Sequence, residues 1–326
     1  MRTFKCICGN KLFFDNTRCI GCDRATALCP NCRQVTPRVE STDNTFQCAN
    51  DKCSAKLRLC ENAQYDACNC GIDAADNASL CKYCRLNAII PDLSIEENRS
   101  NWQKLEAAKR RVLYALEDLG FRIDSKELPL SFEFKSDVAE KVSTGHAEGC
   151  ITICLNEADS VKREQVRVQF GEPHRTLVGH FRHELGHYYW GLLVAHNYLR
   201  QFRSLFGDET NPTYTTARNA YYQNGNEVLD WHATHISRYS TMHPWEDFAE
   251  TFNAYLDLRA VVQSALHFGL LSNVDANDFD SVLLYYQKIG IVTNELNRDM
   301  GLLDLVPEVF TTPVIEKLRF IDRLRH

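Results

Sequence analysis

Thirteen of the fifteen cysteines lie between Cys6 and Cys84, and most come in close pairs. The pairs are Cys6-x-Cys8, Cys19-x-x-Cys22, Cys29-x-x-Cys32, Cys68-x-Cys70 and Cys81-x-x-Cys84, with Cys48, Cys53 and Cys60 between them. The opening Met1-Arg2-Thr3-Phe4-Lys5-Cys6 has no apolar stretch of the kind a secretory signal needs, and no apolar run is long enough to span a membrane. A cytoplasmic chain is therefore expected. Thiols stay reduced there, so this density of cysteine reads as metal binding rather than disulfides.

Two cysteine pairs separated by roughly ten to twenty residues make a four-thiolate zinc site, each pair on its own tight turn. Three such sites follow from the spacing: Cys6, Cys8, Cys19 and Cys22; Cys29, Cys32, Cys48 and Cys53; Cys60, Cys68, Cys81 and Cys84. Cys68 and Cys70 compete for one position in the third site, and Cys68 is preferred. Sites closed by four thiolates leave no position for substrate, so these zinc ions are structural. Residues 1–90 hold too few aliphatic residues to fold on apolar burial alone, and the metal supplies the missing free energy. Twelve Lys and Arg stand against nine Asp and Glu in that stretch. Three zinc ions on twelve thiolates turn this excess negative, which disfavours nucleic acid as a partner of the module.

The second constellation is His183-Glu184-x-x-His187. Residues four apart share a helix face, so both imidazoles can reach one metal, with Glu184 beside them to take a proton from a water. Leu177, Phe181, Leu185, Tyr188 and Leu192 recur at helical spacing, and no Pro interrupts 175–198. A metzincin continuation would need Gly where Trp190 stands and His where Leu193 stands, so the third ligand comes from elsewhere. The best source is Tyr239 to Leu256. Pro244 suits the opening of a helix. Glu246 and Glu250 then share one face, and with His243 and Asp247 they form an acidic cluster that is costly to bury without a cation.

Between the two constellations, Asn87 to Asn98 reads as a linker, Trp102 to Leu119 as a helix, and Leu130 to Phe134 and Cys150 to Leu155 as strands joined by a turn at Gly145 to Gly149. Gly149 to Cys154 is a candidate edge strand to hold a substrate backbone, or an internal strand. His146 reads as a loop histidine, and Lys109-Arg110-Arg111 as a solvated helix face. The polar segment from Phe206 to Asn226 borders the cleft or joins two helices. Helical spacing at 282–289, 293–303 and 314–324 is broken by Gly290, Gly301, Pro307 and Pro313.

Arg175-Thr176-Leu177 through His183-Glu184-Leu185-Gly186-His187-Tyr188-Tyr189-Trp190, with His243-Pro244-Trp245-Glu246-Asp247-Phe248-Ala249-Glu250, resembles the zinc-binding metallopeptidase family that carries an N-terminal zinc ribbon. Cys6, Cys8, Cys19 and Cys22 around Leu12-Phe13-Phe14 look like that family too. So does Cys81-Lys82-Tyr83-Cys84-Arg85-Leu86-Asn87 before Ile90-Pro91-Asp92-Leu93. Cys70 departs from it, standing where an aromatic residue is expected.

The resemblance implies an α+β, zincin-like, mainly helical peptidase domain with a small sheet over 91–326, behind a zinc-ribbon module over 1–90. It further suggests the gluzincins, whose third ligand is a glutamate on a second helix. The Glu-x-x-x-Glu spacing is similar to that of lethal-factor-type peptidases. By that likeness Glu246 is the zinc ligand, and Tyr239, seven residues upstream, donates to the oxyanion. Glu250 then accepts a hydrogen bond from a ligand imidazole, with Asp247 competing for that place. The expected activity is hydrolysis of a protein or peptide substrate, with one catalytic and about three structural zinc ions. The alternative is a non-catalytic zinc-ribbon scaffold.

Overall fold

A computed structural model describes the chain except at residues 1, 42, 138–141, 143, 171–174, 224–229 and 326. The chain divides into two compact units. The first comprises Met1–Tyr114, Ser131–Thr144 and Thr152–Val166, and the second Ala115–Leu130, Gly145–Ile151 and Arg167–His326. The fold is α+β, with about 48% of the described residues helical.

In the first unit a hairpin pairs β1 (Phe4–Lys5) with β2 (Lys11–Leu12). An antiparallel meander follows: β3 (Thr26–Leu28), β4 (Val35–Glu40), β5 (Phe46–Cys48), β6 (Lys56–Leu59) and β7 (Gly71–Asp73). Its register sets Ala27 against Thr36, Arg38 against Cys48, Phe46 against Leu57 and Leu59 against Gly71. One cluster consists of Ala27, Cys29, Phe46, Cys48 and Leu57, so two of its five members are thiols.

The stretch read as a linker opens instead with a strand. β8 (Asn87–Ile89) pairs parallel with β9 (Ser131–Lys135), with a bulge between Asn87 and Ile89. Between them α1 (Glu96–Asp118) buries Trp102, Leu105, Ala108 and Val112, the apolar face expected from the sequence.

Lys109 and Arg110 of the basic run on α1 do not form a solvated face, and only Arg111 is partly exposed. Lys109 is 0% exposed and Arg110 3%. Lys109 Nζ pairs with Glu106 Oε1 at 2.8 Å and lies over the rings of Phe132 and Phe134. Arg110 Nη1 donates to Asn69 Oδ1 at 2.6 Å. Burial opposes the charge of Arg110, but the sulfurs of Cys68 and Cys70 and the carboxylate of Asp15 hold it firmly protonated. Arg111 reaches Asp15 at 2.9 Å. The buried Arg110 cation thus sits beside the sulfurs of the third cysteine group and the Asp15 carboxylate, whose opposite charge offsets its burial.

β10 (Gly145–Ala147) lies in the second unit and leads through a turn into β11 (Cys150–Cys154). At Gly149 the backbone has φ +85°, and a Cβ would lie 2.4 Å from the Pro129 carbonyl oxygen. Only glycine fits that turn. β11 is hydrogen-bonded to β10 and to β9, so it is an internal strand; the edge, packed on the helix α3 described next, is β10.

α2 (Ser160–Phe170) precedes α3 (Leu177–Tyr189), which carries the two histidines. Thr176 caps α3 by accepting from Gly179 N at 2.9 Å. The helical spacing that extends to Leu192 in the sequence is interrupted after Tyr189. Trp190–Val194 forms a π-turn, followed by α4 (Ala195–Asn197) and α5 (Leu199–Phe206). The wider turn rotates the face, so Val194 is buried and Leu192 only half-buried. The polar segment after Phe206 contains a helix, α6 (Tyr214–Gln223); its last residues, 224–226, lie outside the described ones.

α7 (Pro244–His267) is the centre of this unit and packs on α3, on the Tyr239–Met242 turn, and on α8 (Phe279–Asp299) and α9 (Thr312–Arg323). His243 caps it, its Nδ1 accepting from Trp245 N, with Pro244 in the first turn as expected. α8 runs through Gly290, which the sequence marks as a break. One helical glycine costs only about 1 kcal/mol, and the buried face of Leu283, Tyr286 and Ile289 offsets it.

Candidate metal centre

Gly186 makes the centre possible. It faces Ala249 across the α3–α7 crossing, where an added Cβ would lie 2.8 Å from Ala249 Cα and 3.2 Å from Phe252 Cβ. The close approach brings Glu246, on the first turn of α7, over the two histidines of α3. Glu246 Oε2 lies 3.0 Å from His183 Nε2 and 3.5 Å from His187 Nε2, and the two Nε2 atoms are 3.2 Å apart.

These separations suit a common metal. Ligand bonds of about 2.0–2.1 Å in a tetrahedron put donor atoms roughly 3.3–3.4 Å apart. Glu246 is 2% exposed, and its Oε2 has no hydrogen bond. A buried carboxylate oxygen aimed at two ring nitrogens without a bridging proton partner is costly unless a cation sits among them. The donor set of two imidazoles and one carboxylate is that of zinc with an open position.

The surrounding bonds fix each candidate ligand. His183 Nδ1 donates to Glu250 Oε1 at 2.7 Å, which turns the Nε2 lone pair inward. Glu250 Oε2 in turn accepts from Ser237 Oγ at 2.7 Å. Burial would lower the His183 pKa, but the carboxylates of Glu246 and Glu250 raise it well above its ordinary value. Tyr214 Oη donates to Glu246 Oε1 at 2.8 Å. His187 packs against Trp245, with ring centroids 3.9 Å apart and the planes tilted by 41°.

Glu184 is buried beside the ligands, and its Oε2 has no partner. The Tyr239 ring lies 6.0 Å from that of His183. Burial first, then the charge of Glu246, pushes the Tyr239 hydroxyl pKa upward, so it stays a donor. Asp247 does not compete with Glu250 for an imidazole. It turns the other way, to Lys317 Nζ at 2.6 Å and His235 Nε2 at 3.7 Å. Its buried charge needs that cation, although burial still raises its pKa to about 7. His243 is a helix cap, and its Nε2 donates to the Glu209 carbonyl. His146 is not an exposed loop residue. It packs against Tyr188 and Trp245, accepts from Gly149 N at 3.1 Å, and burial lowers its pKa to about 4.

In the first unit the cysteines gather in three groups of four: Cys6, Cys8, Cys19, Cys22; Cys29, Cys32, Cys48, Cys53; and Cys60, Cys68, Cys81, Cys84. Sulfurs stand 3.7 Å apart for Cys6–Cys22, Cys8–Cys19, Cys29–Cys53 and Cys68–Cys81, and 3.8 Å for Cys32–Cys48. Zinc–sulfur bonds of about 2.3 Å give a tetrahedral edge of roughly 3.8 Å, whereas a disulfide would need about 2.05 Å. Cys70 is buried next to the third group, its backbone N donating to Cys68 Sγ at 3.3 Å.

The model of a family described as "Putative zinc-binding metallo-peptidase" matches residues 98–324. The chain belongs to this family. A zinc-ribbon domain model matches residues 3–95 of this metallopeptidase-family chain. Three relatives are each 35% identical to it over 336 residues, covering 98% of this chain and 94% of the relative. They are "Uncharacterized protein Mb2598c" of Mycobacterium bovis and, from Mycobacterium tuberculosis, "Uncharacterized protein MT2644" and "Uncharacterized protein Rv2568c". No solved structure matches the chain significantly. Membership in the metallopeptidase family supports peptidase function with zinc as its metal, and among the described residues no helix is long and apolar enough to cross a membrane.

Two residues at the candidate centre are not marked by any pattern in the sequence. Tyr214 lies 32 residues before Glu246 in a polar segment, and Ser237 lies 13 before Glu250. Neither shares a helix face with a ligand, so no periodicity marks them.

Proposed function

We propose that the chain is a cytoplasmic, gluzincin-like zinc peptidase, with residues 91–326 as the catalytic domain and 1–90 as a zinc-ribbon module holding three structural zinc ions. The observation that carries this reading is the convergence of His183 Nε2, His187 Nε2 and Glu246 Oε2 within 3.5 Å of one another. A zinc ion held by those three atoms would supply Lewis acidity, polarising a carbonyl and lowering the pKa of a water to about 7.

The chain's own groups do the rest. Glu184 takes the water proton and returns it to the leaving amine nitrogen. Tyr239, held protonated, donates to the oxyanion as it develops. Glu250 keeps the His183 tautomer in which Nε2 is free. β10, the edge strand packed on α3, is placed to hold an extended substrate backbone.

The test is incubation of the zinc-loaded chain with an unfolded protein, with products read by mass spectrometry. Cleavage is expected, along with about four zinc ions per chain, one for each donor cluster. His187→Ala should lose one zinc and all cleavage. A fully loaded chain that cuts nothing, with the same zinc content after His187→Ala, would contradict the proposal.

A further inference from the structure

We propose that Tyr214 is a positioning residue for the carboxylate ligand: its hydroxyl occupies Glu246 Oε1, so that Oε2 alone is presented to the metal. The inference rests on reading Glu246 as a ligand.

A carboxylate can bind a metal through one oxygen or both, and rotation of its plane exchanges the two oxygens. At Glu246 the two are distinguished. Oε1 accepts from Tyr214 Oη at 2.8 Å, while Oε2 has no hydrogen bond and faces both ring nitrogens. With Oε1 engaged, the carboxylate plane is fixed and one donor oxygen is left for the metal. That keeps a position open at the ion, which a second carboxylate oxygen would otherwise fill.

The Tyr214 ring is itself held. Its edge packs on His243 at 5.4 Å and on Trp245 at 5.6 Å between centroids. His243 caps the helix that bears Glu246, and Trp245 packs against His187. The phenol therefore takes its position from the same turn that carries the ligand, and the hydroxyl is its only means of reaching Oε1. Bonds of this kind to ligating groups are worth 10–100-fold in metal affinity.

The test compares full-length Tyr214→Phe and Tyr214→Leu with the unaltered chain. Zinc at this centre is titrated against a chelator of known affinity at fixed pH, and melting temperatures are recorded for the loaded proteins. Both variants should bind this zinc roughly 10–100-fold more weakly, and Tyr214→Phe should melt within a few degrees of the unaltered chain. Wild-type affinity in Tyr214→Phe would overturn the proposal. So would weakening in Tyr214→Leu alone, because the ring rather than the hydroxyl would then carry the effect. Glu246→Ala separates the two ideas. If it keeps this zinc, the ligand reading itself fails; if it loses this zinc while Tyr214→Phe binds normally, only the positioning role is lost.

Discussion

Glu184→Gln is expected to lower peptide turnover by roughly 10²–10⁴-fold, the contribution of a well-placed general base, while leaving zinc content unchanged. The amide is nearly isosteric with the carboxylate, so packing around this buried side chain should survive. What is lost is the basic oxygen. Oε2 of Glu184 is buried and makes no hydrogen bond, which leaves it free for a proton that arrives with substrate and water. A structural glutamate would be expected to bond a neighbour, and its replacement would lower the melting temperature rather than turnover. Steady-state kinetics and metal analysis on one preparation distinguish the two outcomes. Unchanged turnover in Glu184→Gln would remove Glu184 from the mechanism.

Gly186→Leu is expected to have the largest effect on the fold of the second unit and to empty the centre as well. The nearest atom to a Cβ at this position is Ala249 Cα, at 2.8 Å, and backbone cannot yield as a flexible side chain would. Overpacking of this kind costs on the order of 3 kcal/mol, or roughly 6–12 °C in melting temperature for a unit of this size. Because α3 carries both histidines and α7 carries Glu246, any separation of the helices pulls the third donor away from the other two. The variant should therefore lose one zinc ion per chain at temperatures where it is still folded. Retention of that zinc with an unchanged melting temperature would show that the crossing does not depend on a glycine. Ala would give a smaller loss in the same direction, since its better helix propensity offsets up to about 1 kcal/mol.

Much of the centre was legible because metal chemistry imposes short, periodic spacings. His183 and His187 had to share a face once they lay on a helix, and paired cysteines on tight turns had to meet other pairs. The geometry groups all twelve chosen cysteines as the spacing suggested, with Cys68 rather than Cys70 in the third set. The third ligand was less accessible to periodicity. Glu246, Asp247 and Glu250 differ little in sequence context, and only the likeness to lethal-factor-type peptidases ordered them. The structure separates them by partner: Glu246 faces the imidazoles, Glu250 the far side of His183, and Asp247 the cation of Lys317.

Charge patterning misled where the neighbour was unknown. Lys109 and Arg110 look like a solvated face until the thiolates and Glu106 beside them are in view. Tyr214 and Ser237 bond to side chains far along the chain, and no local rule reaches that distance. Gly290 shows the same limit for secondary structure, since burial of neighbouring side chains outweighed the local preference.

The most direct test of the account is diffraction from crystals of the zinc-loaded chain at the zinc absorption edge. An anomalous peak is predicted at about 2.0–2.2 Å from His183 Nε2, His187 Nε2 and Glu246 Oε2, in addition to one within each cysteine group. Peaks at the cysteine groups alone, with the Glu246 side chain turned away from both histidines, would contradict it.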